Sequence, residues 1–467
     1  MTDILLINPA STTILNTPIP FGISYLAAFL EENGFSVKIL DLSVQEMSDE
    51  DMLDYIGKIR PRKVGLSCMS VHVDFVRRIS EKIKMNFKSI QIIVGGTHPT
   101  ALPEQSADSM KDADIFVLGE GEITLLELMK NKKLEKINGI AYRRGGKLKI
   151  NACREFIQNL DTLPFPARHL LPDIKKYTLG FDWEGRRPAA TIFSSRGCPY
   201  NCIYCASKIM WKRRVRFRSA ENVLEEIDFL VKKHNVKEIL FYDDHFVLDK
   251  KRLEKICQGI IKRGYDLTWC CLSRVDCFDL KTARLMRKAG CHMISFGVES
   301  GSQKILDNME KNVKIRDIIN AFNICKTAGI NTKASFIFGA PGENYESVKE
   351  TRDLLKKILP DYVWFFIMTP FPGTKLYTLH QEHGLASEEW ARYDQTTYDR
   401  FYETELSYTD FRKIVSDSYK EYYLSWAYIF SQIKNLNLRK IKIYLSLIKK
   451  LPLILGYIKK GKVKNEG

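Results

Sequence analysis

The sequence predicts an α/β protein: an N-terminal doubly wound (Rossmann-like) parallel sheet, then a partial (β/α)6 barrel, then a helical C-terminal extension. Three observations predict it. Short β-rich apolar runs alternate with amphipathic helical stretches from residue 1 to about 135, the pattern of parallel strands joined by crossover helices. The alternation resumes from about 186 to 385, with polar residues and glycines gathered where each apolar run ends. After Gly384 it gives way to an aromatic-rich stretch, Trp390–Tyr428, of helical character.

In the first segment the expected strands are Ile4–Asn8, Ser36–Asp41, Lys63–Cys68, Ile90–Gly95 and Asp114–Leu118. Helices are expected around Ile23–Asn33, Asp49–Ile59, Asp74–Phe87 and Ile123–Lys130. Ligands of such sheets sit at the carboxyl ends of the strands. The residues there are Asn8 and Pro9, Ser67, Gly95-Gly96-Thr97-His98-Pro99-Thr100 and Gly119-Glu120-Gly121-Glu122. Glycine at a strand end lets backbone approach a ligand closely, although paired glycines also make ordinary turns. Residues 136–185 read as a connector: Asn138–Ile150 alternates across Arg143-Arg144-Gly145-Gly146-Lys147 as a hairpin does, and Leu163–Pro172 is proline-rich.

The second segment holds the most specific feature of the chain. Ser195-Arg196-Gly197-Cys198-Pro199-Tyr200-Asn201-Cys202-Ile203-Tyr204-Cys205 places three thiols at C-x3-C-x2-C spacing directly after the apolar run Ala189–Ser194. A structural zinc or an electron-transfer [4Fe–4S] cluster closes with four ligands, so a compact set of three leaves one coordination position open for substrate. The alternative is a zinc knuckle completed by Cys257 or a histidine. Five further strand ends follow: Phe241–Phe246, Cys271–Asp276, Ile294–Gly301, Ser335–Glu343 and Phe365–Thr374. With the strand before Cys198 they make six β/α units, with a site expected at the carboxyl face by analogy with full barrels.

Composition bounds the remainder. The chain has 467 residues, 45% of them hydrophobic, enough for two or three ordinary domains. Eleven scattered cysteines argue for a reducing compartment over a disulfide framework. The opening residues read straight into a strand and no apolar run approaches bilayer length, so a cytoplasmic location is expected. The net charge of +16 is concentrated at the end, where Ser431–Gly467 carries ten Lys or Arg against one acid. These charges alternate with Leu, Ile and Tyr over Leu436–Lys464, as in an interfacial helix broken at Pro452 and Gly456. Peripheral contact with the inner face of a membrane is one expectation, and an amphipathic helix packed on its own protein is the other. No nucleic-acid partner is expected, since no recognition module or separate basic domain is visible.

The cysteine segment resembles the cluster motif of radical S-adenosylmethionine (SAM) enzymes, C-x3-C-x-aromatic-C, with Tyr204 as the aromatic. The resemblance implies a [4Fe–4S] cluster on Cys198, Cys202 and Cys205 that reductively cleaves SAM to a 5′-deoxyadenosyl radical, fed by a donor such as flavodoxin or ferredoxin. It places SAM against Tyr204, Asp243 and Asp244 (where the family usually shows Gly-Gly-Glu), Arg274, Glu299, Ser300, Gly339 and Gly342. Alternatives for these side chains are helix capping by the aspartates and a salt bridge from Arg274 to Asp276. The first segment resembles the cobalamin-binding domain that precedes the barrel in one radical-SAM subgroup. This implies cobalamin contacts from Asn8, Pro9, Ser67, Gly95, Gly96, Thr97, His98, Gly119, Glu120 and Gly121. The Asp-x-His-x-x-Gly string that supplies a lower cobalt ligand is missing, so His98 stands as a candidate ligand or a structural hydrogen-bonder.

The expected boundaries are therefore a cobalamin-binding domain at 1–135, a connector at 136–185, a radical SAM barrel at 186–385 and a C-terminal extension at 386–467. The expected activity is cobalamin-dependent C-methylation of an unactivated carbon in a lipid-like or natural-product substrate. In that mechanism one SAM methylates the cobalamin and a second provides the radical. The rival within enzymes is an oxidative cyclase or rearrangement catalyst of the same architecture. Outside enzymes the rival is an iron–sulfur carrier or RNA-binding protein, disfavoured because three cysteines close a carrier cluster poorly. No second cluster motif is present, and the remaining cysteines read as buried small hydrophobes.

Overall fold

The computed structural model describes residues 2–10, 17–180, 185–396 and 398–434. The first sheet contains β1 (Ile4–Asn8), β2 (Val37–Asp41), β3 (Lys63–Ser67), β4 (Gln91–Gly95), β5 (Ile115–Val117), β6 (Ile140–Arg144) and β7 (Lys147–Ile150), in the order β2-β1-β3-β4-β5-β6-β7. Its first five strands are parallel, with the chain reversing its winding between β1 and β3, the switch point where such sheets bind ligands. Near-continuous burial of Ile4–Ile7 and Ile92–Val94 fits strands covered on both faces. Helices Phe21–Glu32, Asp49–Ile59, Val73–Asn86 and Glu122–Met129 fill the crossovers. Asp49–Ile59 starts where Ser48 accepts from the Asp51 amide and Asp51 returns the bond, a capping box.

The hairpin expected in the connector is instead the antiparallel edge of this sheet, because the buried run Ile140-Ala141-Tyr142 continues the apolar surface of β5. Residues 151–180 then cross between the sheets with only single 3-10 turns. Two buried contacts fix their path: Arg168 lies 2.7 Å from Glu226, and the Tyr177 hydroxyl donates to Asp41 at 2.8 Å.

The second sheet is an open barrel of six parallel strands in sequence order: β8 (Ala189–Ile192), β11 (Glu238–Phe241), β12 (Thr268–Ser273), β13 (Cys291–Glu299), β14 (Asn331–Phe338) and β15 (Tyr362–Ile367). A short antiparallel pair, β9 (Ser195–Arg196) and β10 (Arg216–Phe217), frames the cysteine loop. Helices Ala220–His234, Lys250–Arg263, Leu280–Lys288, Ile315–Ala328 and Tyr345–Ile358 form the outer layer, burying Ile227, Ile256, Met286, Phe322 and Leu355 against the strands.

The C-terminal region is less helical than its aromatic content suggests. Trp390–Arg392 is one 3-10 turn, and helix begins only at Tyr408–Tyr423, followed by Trp426–Lys434. The aromatics before Tyr408 serve packing instead, with Trp390, Tyr393 and Tyr398 filling the core that also holds Cys68, just past β3, and Val73, at the start of helix Val73–Asn86. Helix Tyr408–Tyr423 covers the open edge of β15. There the Val363 and Phe365 amides donate to the hydroxyls of Tyr423 and Tyr419 at 3.0 and 3.1 Å, so the edge presents no row of free donors. The basic stretch beyond Lys434 lies outside the described residues.

Candidate active site

The three thiols lie on the loop between β9 and β10, at the carboxyl end of the barrel. Gly197 opens the loop at φ +99°, and a side chain there would meet the Arg214 carbonyl at 2.1 Å, so only glycine fits. Cys202 is buried, while Cys198 and Cys205 are half-buried. Burial raises the pKa of Cys198 and pushes that of Cys205 up to about 12. Such thiols ionise readily only beside a strongly positive centre, which an iron–sulfur cluster provides. Cys257 is sealed in the hydrophobic layer of helix Lys250–Arg263 and does not complete a zinc knuckle. Among the described residues, the His, Cys and carboxylate atoms that group within 4.8 Å of one another are those of Glu238, Cys270 and His292, at the opposite end of the strands. Three thiols on one loop suit a cluster with one open iron.

A cavity of about 820 Å³ lies between the two sheets. Tyr204, Cys205 and Asp244 reach it from the barrel; Ser67, Gly95, Gly96, Thr97, Gly119, Glu120 and Gly121 reach it from the first sheet. Gly96, at φ +129°, has the Cys68 carbonyl 2.5 Å from where a Cβ would stand. Gly119, at φ +80°, has open space there. The rest of the wall is mainly apolar, including Tyr25, Phe193, Trp211, Tyr242, Met368 and Phe371. Tyr242, Met368 and Phe371 fall in strand ends where the sequence expects a site, and Phe193 in the run before the cysteines. Tyr25 and Trp211 carry no such signal, and reach the wall only because the two sheets face each other.

Other expected residues lie behind the wall. Asn8 donates to Asp41 at 2.8 Å and, like Pro9, does not line the cavity. His98 is buried with its ring 4.6 Å from that of Trp390, and its Nδ1 is 3.1 Å from the Ser70 hydroxyl. Burial lowers its pKa to about 4. Its Nε2 is buried with no hydrogen-bond partner among the described residues.

Asp243 is fully buried, accepting from the Ser194 amide and hydroxyl at 3.0 Å and from the Ser195 hydroxyl. It thus holds the start of the cysteine loop. Asp244 takes a 2.6 Å bond from Ser207 and has its pKa raised by burial. Neither caps the next helix, where Asp249 accepts from the Arg252 amide. Arg274 spends its fork on Asp276, at 3.1 and 2.9 Å, and stacks 3.5 Å from the centre of the Tyr200 ring.

Glu299 sits at φ +70° where β13 bulges against β14, paired with Lys311 at 2.7 Å. The Lys311 ammonium is also 3.5 Å from the Tyr204 hydroxyl. Ser300 hydrogen-bonds Thr351 at 3.2 Å in the interior. Gly339 and Gly342 have φ of +95° and +80°, and the Gly339 amide donates to Glu343. Lys311 and Glu343 were not anticipated. Lys311 falls between recognisable segments and its contact to Tyr204 is long-range, whereas Glu343 closes the expected strand end Ser335–Glu343 and bonds locally to the Gly339 and Ala340 amides.

Charged residues join the two sheets beside the cavity. Arg196 donates to Glu120 and Glu122, both at 2.6 Å, and Arg216 donates to Glu120 at 2.8 Å. Arg196 lies over the rings of Tyr25 and Trp211. Burial opposes the charge of Glu120, but the Arg216 hydrogen bond and the nearby Arg196 charge outweigh it and lower its pKa.

Residues 8–129 match the B12 binding domain family and residues 192–355 the radical SAM superfamily. An uncharacterized methyltransferase of Pyrococcus horikoshii, PH0819, is 35% identical over 81% of this chain and 82% of its own length. The anaerobic magnesium-protoporphyrin IX monomethyl ester cyclase of Rubrivivax gelatinosus is 29% identical over 77% of this chain and 65% of its own. Among solved structures, the cobalamin-dependent SAM radical enzyme OxsB superposes with a TM-score of 0.74 at 22% identity, covering 98% of this chain and 72% of that one. The radical SAM methyltransferase TsrM from Kitasatospora setae gives a TM-score of 0.69 at 20% identity, covering 82% of this chain and 77% of that one. With a cobalamin fold and a three-thiol barrel opening on one cavity, the chain belongs to the cobalamin-binding radical SAM enzymes.

Proposed function

We propose that the protein is a C-methyltransferase acting on an unactivated carbon of a lipid-like or natural-product substrate. One observation carries this reading: Cys205 of the cluster loop and the glycine strand ends of the first sheet line the same cavity. When bound there, the cluster and SAM supply a 5′-deoxyadenosyl radical, and cobalamin supplies the methyl group. In this reading residues 1–135 hold cobalamin, 136–185 lay one sheet over the other, 186–385 hold cluster and SAM, and Trp390–Tyr428 of the extension at 386–467 closes the substrate side.

The chain's own residues position these groups. Cys198, Cys202 and Cys205 would hold the cluster through three thiolates. Asp244, at the cavity wall, is the acceptor assigned to the SAM ammonium, while Asp243 holds the loop through Ser194 and Ser195. Tyr204, with Glu299 and Lys311 behind it, supports the methionyl and ribose side. Gly339 and Gly342, expected to pack on adenine, do not line the cavity; they are packed against the Phe401 ring and the Asn308 side chain, and so shape that strand end from behind. Ser67, Gly95, Gly96, Thr97, Gly119 and Gly121 would face the cobalamin, with Asn8, Pro9 and His98 supporting them from behind, while the Glu120 carboxylate at the same wall is held by Arg196 and Arg216. The aromatic wall keeps water from a radical on the substrate.

Electrons come from a flavodoxin- or ferredoxin-type carrier. The enzyme is cytoplasmic, with its basic C-terminal segment at the inner face of the membrane. Oxidative cyclisation is the second reading, favoured by the identity to the ester cyclase.

Anaerobic reconstitution with iron, sulfide and hydroxocobalamin, followed by reduction with methyl-labelled SAM, tests this. The expected result is retained cobalamin, labelled methyl on it, and deoxyadenosine that disappears in Cys202→Ala. Deoxyadenosine without retained cobalamin overturns methyl transfer and keeps the barrel assignment.

A further inference from the structure

We propose that the outer face of helix Trp426–Lys434 is a docking surface for an anionic lipid bilayer, on which the protein rests without crossing it. The inner face of this helix carries buried Tyr428 and Gln432, and the Tyr428 hydroxyl donates to the Asp361 carbonyl at 3.1 Å. The outer face is apolar yet open: Trp426, Phe430 and Ile433 are 73%, 63% and 63% exposed. Their spacing puts them on one stripe of the helix. The Trp426 and Phe430 rings are 5.9 Å apart, and Leu424, at the end of the preceding helix, is exposed as well. A contiguous apolar patch of this kind marks a surface that something covers.

The chain that follows says what covers it. Residues 435–467 carry nine Lys or Arg and one acid, interleaved with Leu, Ile and Tyr. A second copy of the protein would bring two strongly basic segments together, so self-association opposes its own charge. An anionic bilayer satisfies both features, taking the apolar stripe at its acyl boundary and the lysines at its headgroups. Among the described residues no helix is long and apolar enough to cross a membrane. The inference rests on the peripheral location read above and adds the face and the lipid charge; catalysis does not enter its test.

The full-length protein is sedimented with vesicles of phosphatidylcholine alone and with phosphatidylglycerol added. Binding to the anionic vesicles is expected, and it falls by about tenfold or more when Trp426→Gln, Phe430→Gln and Ile433→Gln are combined. Thermal melting of this variant matches the parent, since the three side chains face solvent. A chain ended after Lys434 isolates the basic segment. Binding that survives the triple substitution but is lost on truncation overturns the docking face and keeps the peripheral location. Failure of the full chain to bind anionic vesicles overturns both. Dimerisation abolished by the triple substitution, without vesicle binding, assigns the face to a second copy.

Discussion

Arg196, two residues before the first cluster thiol, lies 2.6 Å from Glu120 on the facing sheet. Glu122 and Arg216 complete the set. The cluster loop and the glycine strand ends are therefore held at a set separation by buried charges, in addition to the connector between them. Removing one member strands the others in a dry site. Arg196→Met is expected to cost about 3–5 kcal/mol in denaturant unfolding, and to weaken cobalamin retention. Adding Glu122→Gln recovers part of that loss. Equal stability of the single and double variants removes the coupling.

Each of Cys198→Ala, Cys202→Ala and Cys205→Ala is expected to abolish the iron–sulfur absorption of the reconstituted protein and deoxyadenosine formation. Cobalamin content stays near parental, since the glycine ends belong to the other sheet. Residual SAM cleavage in any of the three would exclude that sulfur as a ligand.

Two of the glycines that reach the cavity from the first sheet, Gly96 and Gly119, are expected to differ. Gly119→Ala meets open space and carries only the left-handed backbone cost, about 1–2 kcal/mol. Gly96→Ala adds a collision with the Cys68 carbonyl at 2.5 Å and is expected to cost about 3 kcal/mol or more. Urea midpoints of the two variants decide the order.

Burial raises the pKa of Glu343 from 4.5 to about 8, against the opposing backbone bonds from Gly339 and Ala340. The folded state then holds a proton that the unfolded chain has released, so this group lowers stability as pH climbs from 4.5 to about 8. Glu343→Gln lacks that proton. Its melting temperature relative to the parent is expected to rise steadily from pH 5 to pH 8, and a constant difference across the range would place an ionised carboxylate there.

Strand and helix order, the C-x3-C-x2-C loop and the glycine-rich strand ends were legible before folding because each is local. A helix repeats its exposure every turn, a buried strand is a continuous apolar run, and metal ligands on one loop show their spacing directly. Partner choice was not legible. Arg274 lies at a strand end as expected, but Asp276 occupies its fork; His98 lies in the expected segment, but its ring packs on Trp390, nearly three hundred positions later. The Gly-Glu-Gly-Glu segment reads as a ligand contact, yet its glutamates pair with Arg196 and Arg216. The sequence by itself determined which elements form and their order, since backbone propensity and periodicity are properties of neighbours. Only the tertiary structure decided which buried charge meets which and which side chains wall the cavity. A buried ion must find a counter-ion wherever packing places one, and that distance is set by how two sheets stack.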